Sequence, residues 1–182
     1  KKTIAMQRRF AAKQEGVGAS FAAEAKFKLI YKTYEELRSI KIPANPAEQG
    51  KAVQKKLNLM NQLKEDLKAV IKYDDGYMVV AALTTMGQAQ QHMAASLYNA
   101  PKPKGLDEEG MKQYTAGIDK IARPFADEAK ANYAAALDKG QKLETYNDWS
   151  KVAYSELSKL MPESYNDGGE RAILTRLADP MD

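Results

Sequence analysis

The chain has 182 residues, of which 44% are hydrophobic and 29% charged, an ordinary composition for a globular domain with its own core. It contains no cysteine, so disulfides and cysteine-ligated zinc or iron–sulfur sites are excluded. The longest apolar run, Met78–Leu83, is far too short for a transmembrane helix. No signal peptide is visible, but the chain opens with Lys1 rather than methionine, so we expect it to be part of a longer protein.

The net charge of +4 is unevenly distributed. Residues 1–60 contain 13 lysines and arginines against 5 acidic residues, whereas residues 61–182 contain 15 against 19. The basic stretch contains Arg8, Arg9, Lys13, Lys26, Lys28 and Lys32, with Phe10, Phe27 and Tyr31 among them. This pattern is typical of a solvated helix face, but also of a surface for an acidic partner, an anionic membrane or nucleic acid. Nucleic acid is the less expected ligand, because helical spacing alone accounts for the aromatic residues.

Apolar residues at helical spacing, separated by glycine, proline and asparagine, predict a series of helices and no strand. The predicted helices cover residues 4–14, 20–40, 46–73, 77–99, 107–143, 149–160 and 170–178. Ser20 and Asn45 are predicted N-caps, as is Asn147 or Asp148. Pro124 lies inside one helical pattern, and a helix-interior proline removes a hydrogen bond, so we expect a bend there.

Two spacings recur along these helices. One occurs at Leu63, Leu67 and Val70 and again at Ala129, Tyr133 and Ala136. The other occurs at Leu83, Met86 and Gly87 and again at Trp149, Val152 and Ala153. A small residue lets two helices approach closely while large neighbours fill the adjacent gaps, and this pairing resembles the tetratricopeptide repeat.

These spacings predict an all-α fold of stacked antiparallel helical hairpins, a right-handed α-solenoid like that of tetratricopeptide repeats. Gly87 and Ala153 lie 66 residues apart, far more than the roughly 34 residues of that repeat, so the helices must be unusually long. We expect residues 1–182 to form one domain, with 1–73 and 74–182 as candidate sub-units.

Several motifs are similar to those of one group of proteins. The most specific are A-P-K-P-K-G-L at residues 100–106 and Y-N-D-W at residues 146–149, with A-A-E-A-K-F at 22–27 and R-P-F at 123–125. They resemble the C-terminal part of large tetratricopeptide-repeat proteins of predatory and gliding bacteria, which are cell-envelope proteins that include members of the gliding-motility machinery. The resemblance implies a periplasmic scaffold for protein partners, or the capping region of a longer solenoid. Cysteine-free composition fits the cytoplasm equally well.

The sequence offers little for catalysis or metal binding. His92 is the only histidine, and the chain has no G-x-S-x-G, H-E-x-x-H or Glu-x-x-His motif. Gly16-x-Gly18 lacks the third glycine and the preceding strand of a phosphate-binding loop. Adjacent carboxylates such as Glu108 and Glu109 point about 100° apart on a helix. We therefore expect no enzymatic activity, no cofactor and no metal.

A partner-binding face can be placed if Gly87 marks the packed side of its helix. The candidate residues on the inner face are Thr84, Gln88, Gln91 and His92. Their polar side chains are suited to hydrogen bonding with a peptide or a neighbouring protein. We expect alanine at these positions to weaken partner binding without lowering the melting temperature.

Overall fold

The structure, a computed structural model, describes residues 1–11 and 18–165, without the side chains of residues 7–11. Seven α-helices make up almost all of these residues. They are α1 (Lys2–Ala11), α2 (Ala19–Ser39), α3 (Pro46–Ile71), α4 (Gly76–Tyr98), α5 (Glu108–Lys142), α6 (Asp148–Leu160) and α7 (Pro162–Tyr165). The prediction of an all-helical chain is confirmed for these ranges. The predicted helix at 170–178 and the side chains of Arg8, Arg9 and Lys13 lie outside the described residues.

Helix N-caps follow the local sequence closely. The Asn45 side chain accepts a hydrogen bond from the Ala47 amide at 3.0 Å, with Pro46 as the first helical residue. Asn147 forms a capping box with Ser150. The prediction for Ser20 is wrong, because α2 begins at Ala19 and its N-cap residue is Gly18, which has a positive φ of 72° and no side chain to cap the helix.

Pro124 lies inside α5, which continues through it as one helix of 35 residues. The proline has no N–H to donate to the carbonyl of Lys120, one turn earlier. Both residues are exposed, so water can hydrogen-bond to that carbonyl. The proline therefore does not break the helix. The stop predicted at Met161 and Pro162 is followed by the short helix α7, which the sequence pattern did not predict.

Helix α4 is the central element. Of its 23 residues 14 are buried, against 5 of the 35 in α5, because α2, α3, α5 and α6 all pack against it. Among the described helices, backbones lie close only between helices that are first or second neighbours along the chain. None of these helices is both long enough and apolar enough to cross a membrane.

Two apolar clusters lie on opposite sides of α4. One joins α2, α3 and α4 and includes Leu63, Leu67 and Val70, and the other joins α4, α5 and α6 and includes Ala129, Tyr133 and Ala136. These six residues are buried, as are Met86, Gly87 and Ala153, whereas Leu83 and Trp149 are half-buried. The positions with recurring spacing therefore supply much of both clusters.

Gly87 allows α4 and α5 to approach closely. A Cβ atom at this position would lie 2.7 Å from Cε1 of Tyr133, well inside van der Waals contact. The Tyr133 side chain is fully buried, so its ring has no room to move aside. Only glycine fits without displacing the ring.

Replacing Gly87 by alanine should lower the free energy of unfolding by about 1–2 kcal/mol, because overpacking outweighs the gain in helix propensity. Gly117→Ala is the matched control, since that glycine is also inside a helix but has nothing within 4 Å of the added Cβ. It should raise stability by about 0.5–1 kcal/mol. Urea unfolding monitored by circular dichroism measures both, and a stabilising Gly87→Ala would contradict the close approach.

Candidate functional site

The candidate partner-binding residues of α4 are engaged within the chain to different degrees. Thr84 is fully buried, and its hydroxyl donates to the carbonyl of Trp149 at 3.3 Å. The Gln91 amide nitrogen donates to the Glu156 carboxylate at 2.8 Å, and its oxygen accepts from the Tyr133 hydroxyl at 2.5 Å. Burial raises the pKa of Tyr133, which keeps this hydroxyl protonated as the donor. Thr84 and Gln91 therefore connect α4 to α5 and α6.

His92 faces α3, where it contacts a buried lysine. Lys56 of α3 is fully buried, and its Nζ lies 2.9 Å from the carbonyl oxygens of both Leu37 and Ile40 and 3.0 Å from Nε2 of His92. An ammonium has three N–H donors, so these three acceptors satisfy it completely. Because α2 ends at Ser39, the ammonium also lies at the negative end of that helix dipole.

The Lys56 contact requires neutral His92, with Nε2 as the acceptor. Burial and the positive charges of Lys56 and Arg38 lower the pKa of His92 to about 4. Burial likewise lowers the pKa of Lys56. The Ser96 hydroxyl donates to the His92 carbonyl at 2.7 Å and lies 3.4 Å from Nε2. This arrangement stabilises the packing of α2, α3 and α4.

Gln90 is a polar side chain on α4 that the sequence analysis did not select. Its amide nitrogen donates to the Glu128 carboxylate, and its oxygen accepts from Asn132 at 2.6 Å. Lys64 of α3 lies 3.0 Å from the same Glu128 oxygen. Lys56 was also missed, although a signal exists in the sequence: it lies three residues after Val53 and four before Met60, on the apolar stripe of α3.

Gln88 is the candidate residue whose contacts are incomplete. Successive helix residues are rotated by about 100°, so Gln88 lies between the side of α4 that faces α6 (Thr84, Gln91) and the side where His92 contacts Lys56 of α3. Its side-chain oxygen is buried and has no hydrogen-bond partner among the described residues. Thr85 Oγ1 and Asn147 Nδ2 share this condition. An unpaired buried acceptor is destabilising by about 1–3 kcal/mol unless a ligand or water satisfies it.

Aromatic side chains of α2 and α6 meet across α4. The ring of Trp149 lies 5.6 Å from that of Phe27 at an interplanar angle of 81°, and 6.3 Å from that of Tyr31. Such edge-to-face contacts are favourable. The face of α4 that the sequence assigned to a partner is therefore largely covered by the chain's own helices, and Gln88, Gln91 and His92 keep only partial exposure.

In the part of the chain that the structure describes, the remaining surface has no arrangement suited to metal binding. Within residues 1–11 and 18–165, no three histidine or acidic side chains lie close enough together to hold a metal ion. Two open depressions lie along α5, and two ion pairs line them, Glu108 with Lys112 at 3.2 Å and Asp119 with Arg123. Exposed pairs of this kind contribute little to stability.

Replacing Lys56 by alanine should lower the free energy of unfolding by about 2–4 kcal/mol, because it removes a buried side chain and leaves its three acceptors unpaired. The adjacent Lys55 is a matched control, since it is exposed and makes only a surface ion pair with Glu36 at 3.2 Å. Lys55→Ala should change stability by less than about 0.5 kcal/mol. Similar losses for the two variants in chemical denaturation would contradict the described role of Lys56.

Acidification should destabilise the protein through His92. Its pKa is about 4 when folded and 6.5 ordinarily, so the unfolded chain binds the proton first as the pH falls below 6.5. Stability present above pH 6.5 is therefore lost progressively towards pH 4, by about 1–2 kcal/mol between pH 7 and pH 5. His92→Gln retains an acceptor for Lys56 but does not titrate, so urea unfolding at the two pH values should differ less for this variant. Equal pH dependence in both proteins would refute a buried neutral histidine.

The chain was compared with known families, proteins and structures. No protein-family model, no curated protein and no solved structure matches the chain. Its function has to be inferred from its own contacts.

Proposed function

We propose that the chain is a non-catalytic scaffold for protein–protein interaction, a tetratricopeptide-like module of a motility-associated complex in the bacterial envelope. It needs no cofactor, and its work is the non-covalent docking of a protein or peptide, in the periplasm. The observation that carries the proposal is the contact between Gly87 and Tyr133, because it joins the two recurring spacings in one helix pair. This is the way a small residue and a large one pack within a helical-repeat hairpin.

The order of the helices supports the same proposal. One spacing lies on α4 and α6, and the other lies on α3 and α5, so the two kinds of helix alternate along the chain. Each described helix packs only against its first and second neighbours, apart from side chains that reach across α4. A stack of hairpins in which each unit contacts the next has this pattern of neighbours.

The partner-binding part of the proposal centres on Gln88. Gln88, with its unpaired oxygen, lies one helical turn after Thr84, which contacts Trp149 of α6, and beside the partly exposed Gln91 and His92. A backbone N–H or a lysine of an incoming peptide would satisfy this oxygen. Such a partner reaches it when Phe27 and Tyr31 move away from Trp149. Local opening of this kind is common at binding surfaces.

Gln88→Ala tests this proposal in the native cell. Crosslinking with mass spectrometry should identify a second protein attached near Lys159, which pairs with Glu156 beside Gln91, and not near Lys68 on α3. Gln88→Ala should weaken binding of that protein about tenfold without lowering the melting temperature, because it removes a hydrogen bond that only the partner completes and an acceptor that is unpaired in the free chain.

Gln62→Ala is the matched control, since this glutamine is exposed on α3 away from the site. It should leave binding and melting temperature unchanged. For Thr84, Gln91 and His92 we expect alanine to lower stability as well as binding, because their polar groups are already paired within the chain. Equal losses of binding for Gln88→Ala and Gln62→Ala would refute the site.

A further inference from the structure

One hydrogen bond joins α4 to the two helices that precede it. Among the residues that the structure describes, the contact between Nζ of Lys56 and Nε2 of His92, at 3.0 Å, is the only hydrogen bond from α4 to α2 or α3. The other interhelical hydrogen bonds of α4 go to α5 and α6. The contact uses the lone pair of the neutral imidazole that would also take up a second proton. Hydrogen bonding to Lys56 and protonation of His92 therefore exclude each other.

Positive groups act on His92 from both of the preceding helices. Lys56 contacts the ring from α3, and the positive charge of Arg38 on α2 also disfavours its protonation. Helix α5 packs against a different side of α4, around Gly87. A protonated His92 would therefore have two cations as its charged neighbours.

The carboxylates of the surrounding helices are turned away from the His92 ring or already engaged. On α2, Glu35 and Glu36 lie on the exposed side of the helix. On α6, the Glu156 carboxylate accepts from Gln91 and from a lysine of its own helix. The ring can therefore escape the two cations only by moving away from them.

We propose that His92 is an acid-sensitive gate for the partner-binding site on α4: on taking up a second proton, its ring leaves Lys56, moves into water and uncovers Gln88. The ring is partly exposed already, so the movement is short. Gln88 lies one helical turn before His92 and about 40° from it around α4, so the space that the ring vacates is next to the unpaired Gln88 oxygen. The inference rests on the proposed role of Gln88 and adds its regulation, with tighter partner binding in acid.

The pKa of His92 sets the pH range of the gate. This pKa is about 4 with the ring against Lys56 and returns towards the ordinary 6.5 once the ring is in water. Because protons bind the open form first as the pH falls, the ratio of open to closed protein should rise roughly twentyfold between pH 7 and pH 5. Neutral pH thus favours the closed form, and mild acid shifts the balance towards the open one.

Nuclear magnetic resonance of the full chain tests the gate without any partner. Since His92 is the only histidine, its imidazole gives a single signal, which should titrate with a midpoint at least about one pH unit below 6.5. A soluble paramagnetic agent, which broadens the signals of exposed groups, should broaden the side-chain amide signals of Gln88 severalfold more at pH 5 than at pH 7. The backbone signals of Ala129 and Ala136, which are buried in the cluster of α4, α5 and α6, should stay protected at both pH values. Their protection separates local opening from unfolding.

His92→Gln is the matched variant, because glutamine can still accept from Lys56 but does not titrate. In this variant the broadening of Gln88 should be the same at pH 5 and pH 7. Gln62, exposed on α3, is the internal control, and its amide signals should broaden equally at both pH values. Arg38→Gln removes an exposed cation and should move the midpoint of His92 towards 6.5.

Three results would overturn the proposal. One is a midpoint near 6.5 for His92 in the folded protein. Another is equal broadening of Gln88 at the two pH values in the wild type. The third is an increase in His92→Gln as large as in the wild type. None of these measurements involves a partner, so failure of the gate leaves the crosslinking test of Gln88 intact, and failure of that test leaves the titration of His92 unaffected.

Discussion

The structure depends on the burial of α4. This helix is rich in alanine, methionine and small polar residues and exposes little of itself, because four other helices pack around it. Burial on all sides has two consequences. Neighbouring helices must approach closely, which the absent side chain of Gly87 permits. Polar side chains on α4 must also find partners inside the protein, since a buried polar group without one is destabilising. Gln90 finds its partner on α5, Gln91 on α6 and His92 on α3.

Lys56 shows how a charge is accommodated in this interior without a carboxylate. Backbone carbonyls at the end of α2 and one neutral imidazole accept hydrogen bonds from all three of its N–H groups. Removing a charge from water is unfavourable, and the dipole of α2 offsets part of that penalty. The ammonium also fixes where α2 ends relative to α3 and α4. A polar contact of this kind favours one register between helices, whereas apolar packing tolerates several.

Features encoded within a few residues could be predicted from the sequence. Asn45 and Asn147 cap their helices because the bonds they make reach only two or three residues ahead. The proximity of Gly87 and Tyr133 follows from two spacings that predict a pair of packed helices. Lys56 was hidden by the lysines that precede it, at 51 and 55, which suggest a solvated face. Its burial depends on carbonyls at the end of another helix.

The candidate site, too, could be predicted from the sequence only in part. Its residues were found on one face of α4, but their covering by α6 could not be predicted, because no local pattern connects Phe27 with a tryptophan 122 residues away. That contact has a practical side. Trp149 is the only tryptophan, so emission excited at the long-wavelength edge of aromatic absorption, where the ten tyrosines absorb little, comes from an α6 residue whose ring contacts α2. The intensity and colour of that emission thus report directly on whether the two helices are together over α4.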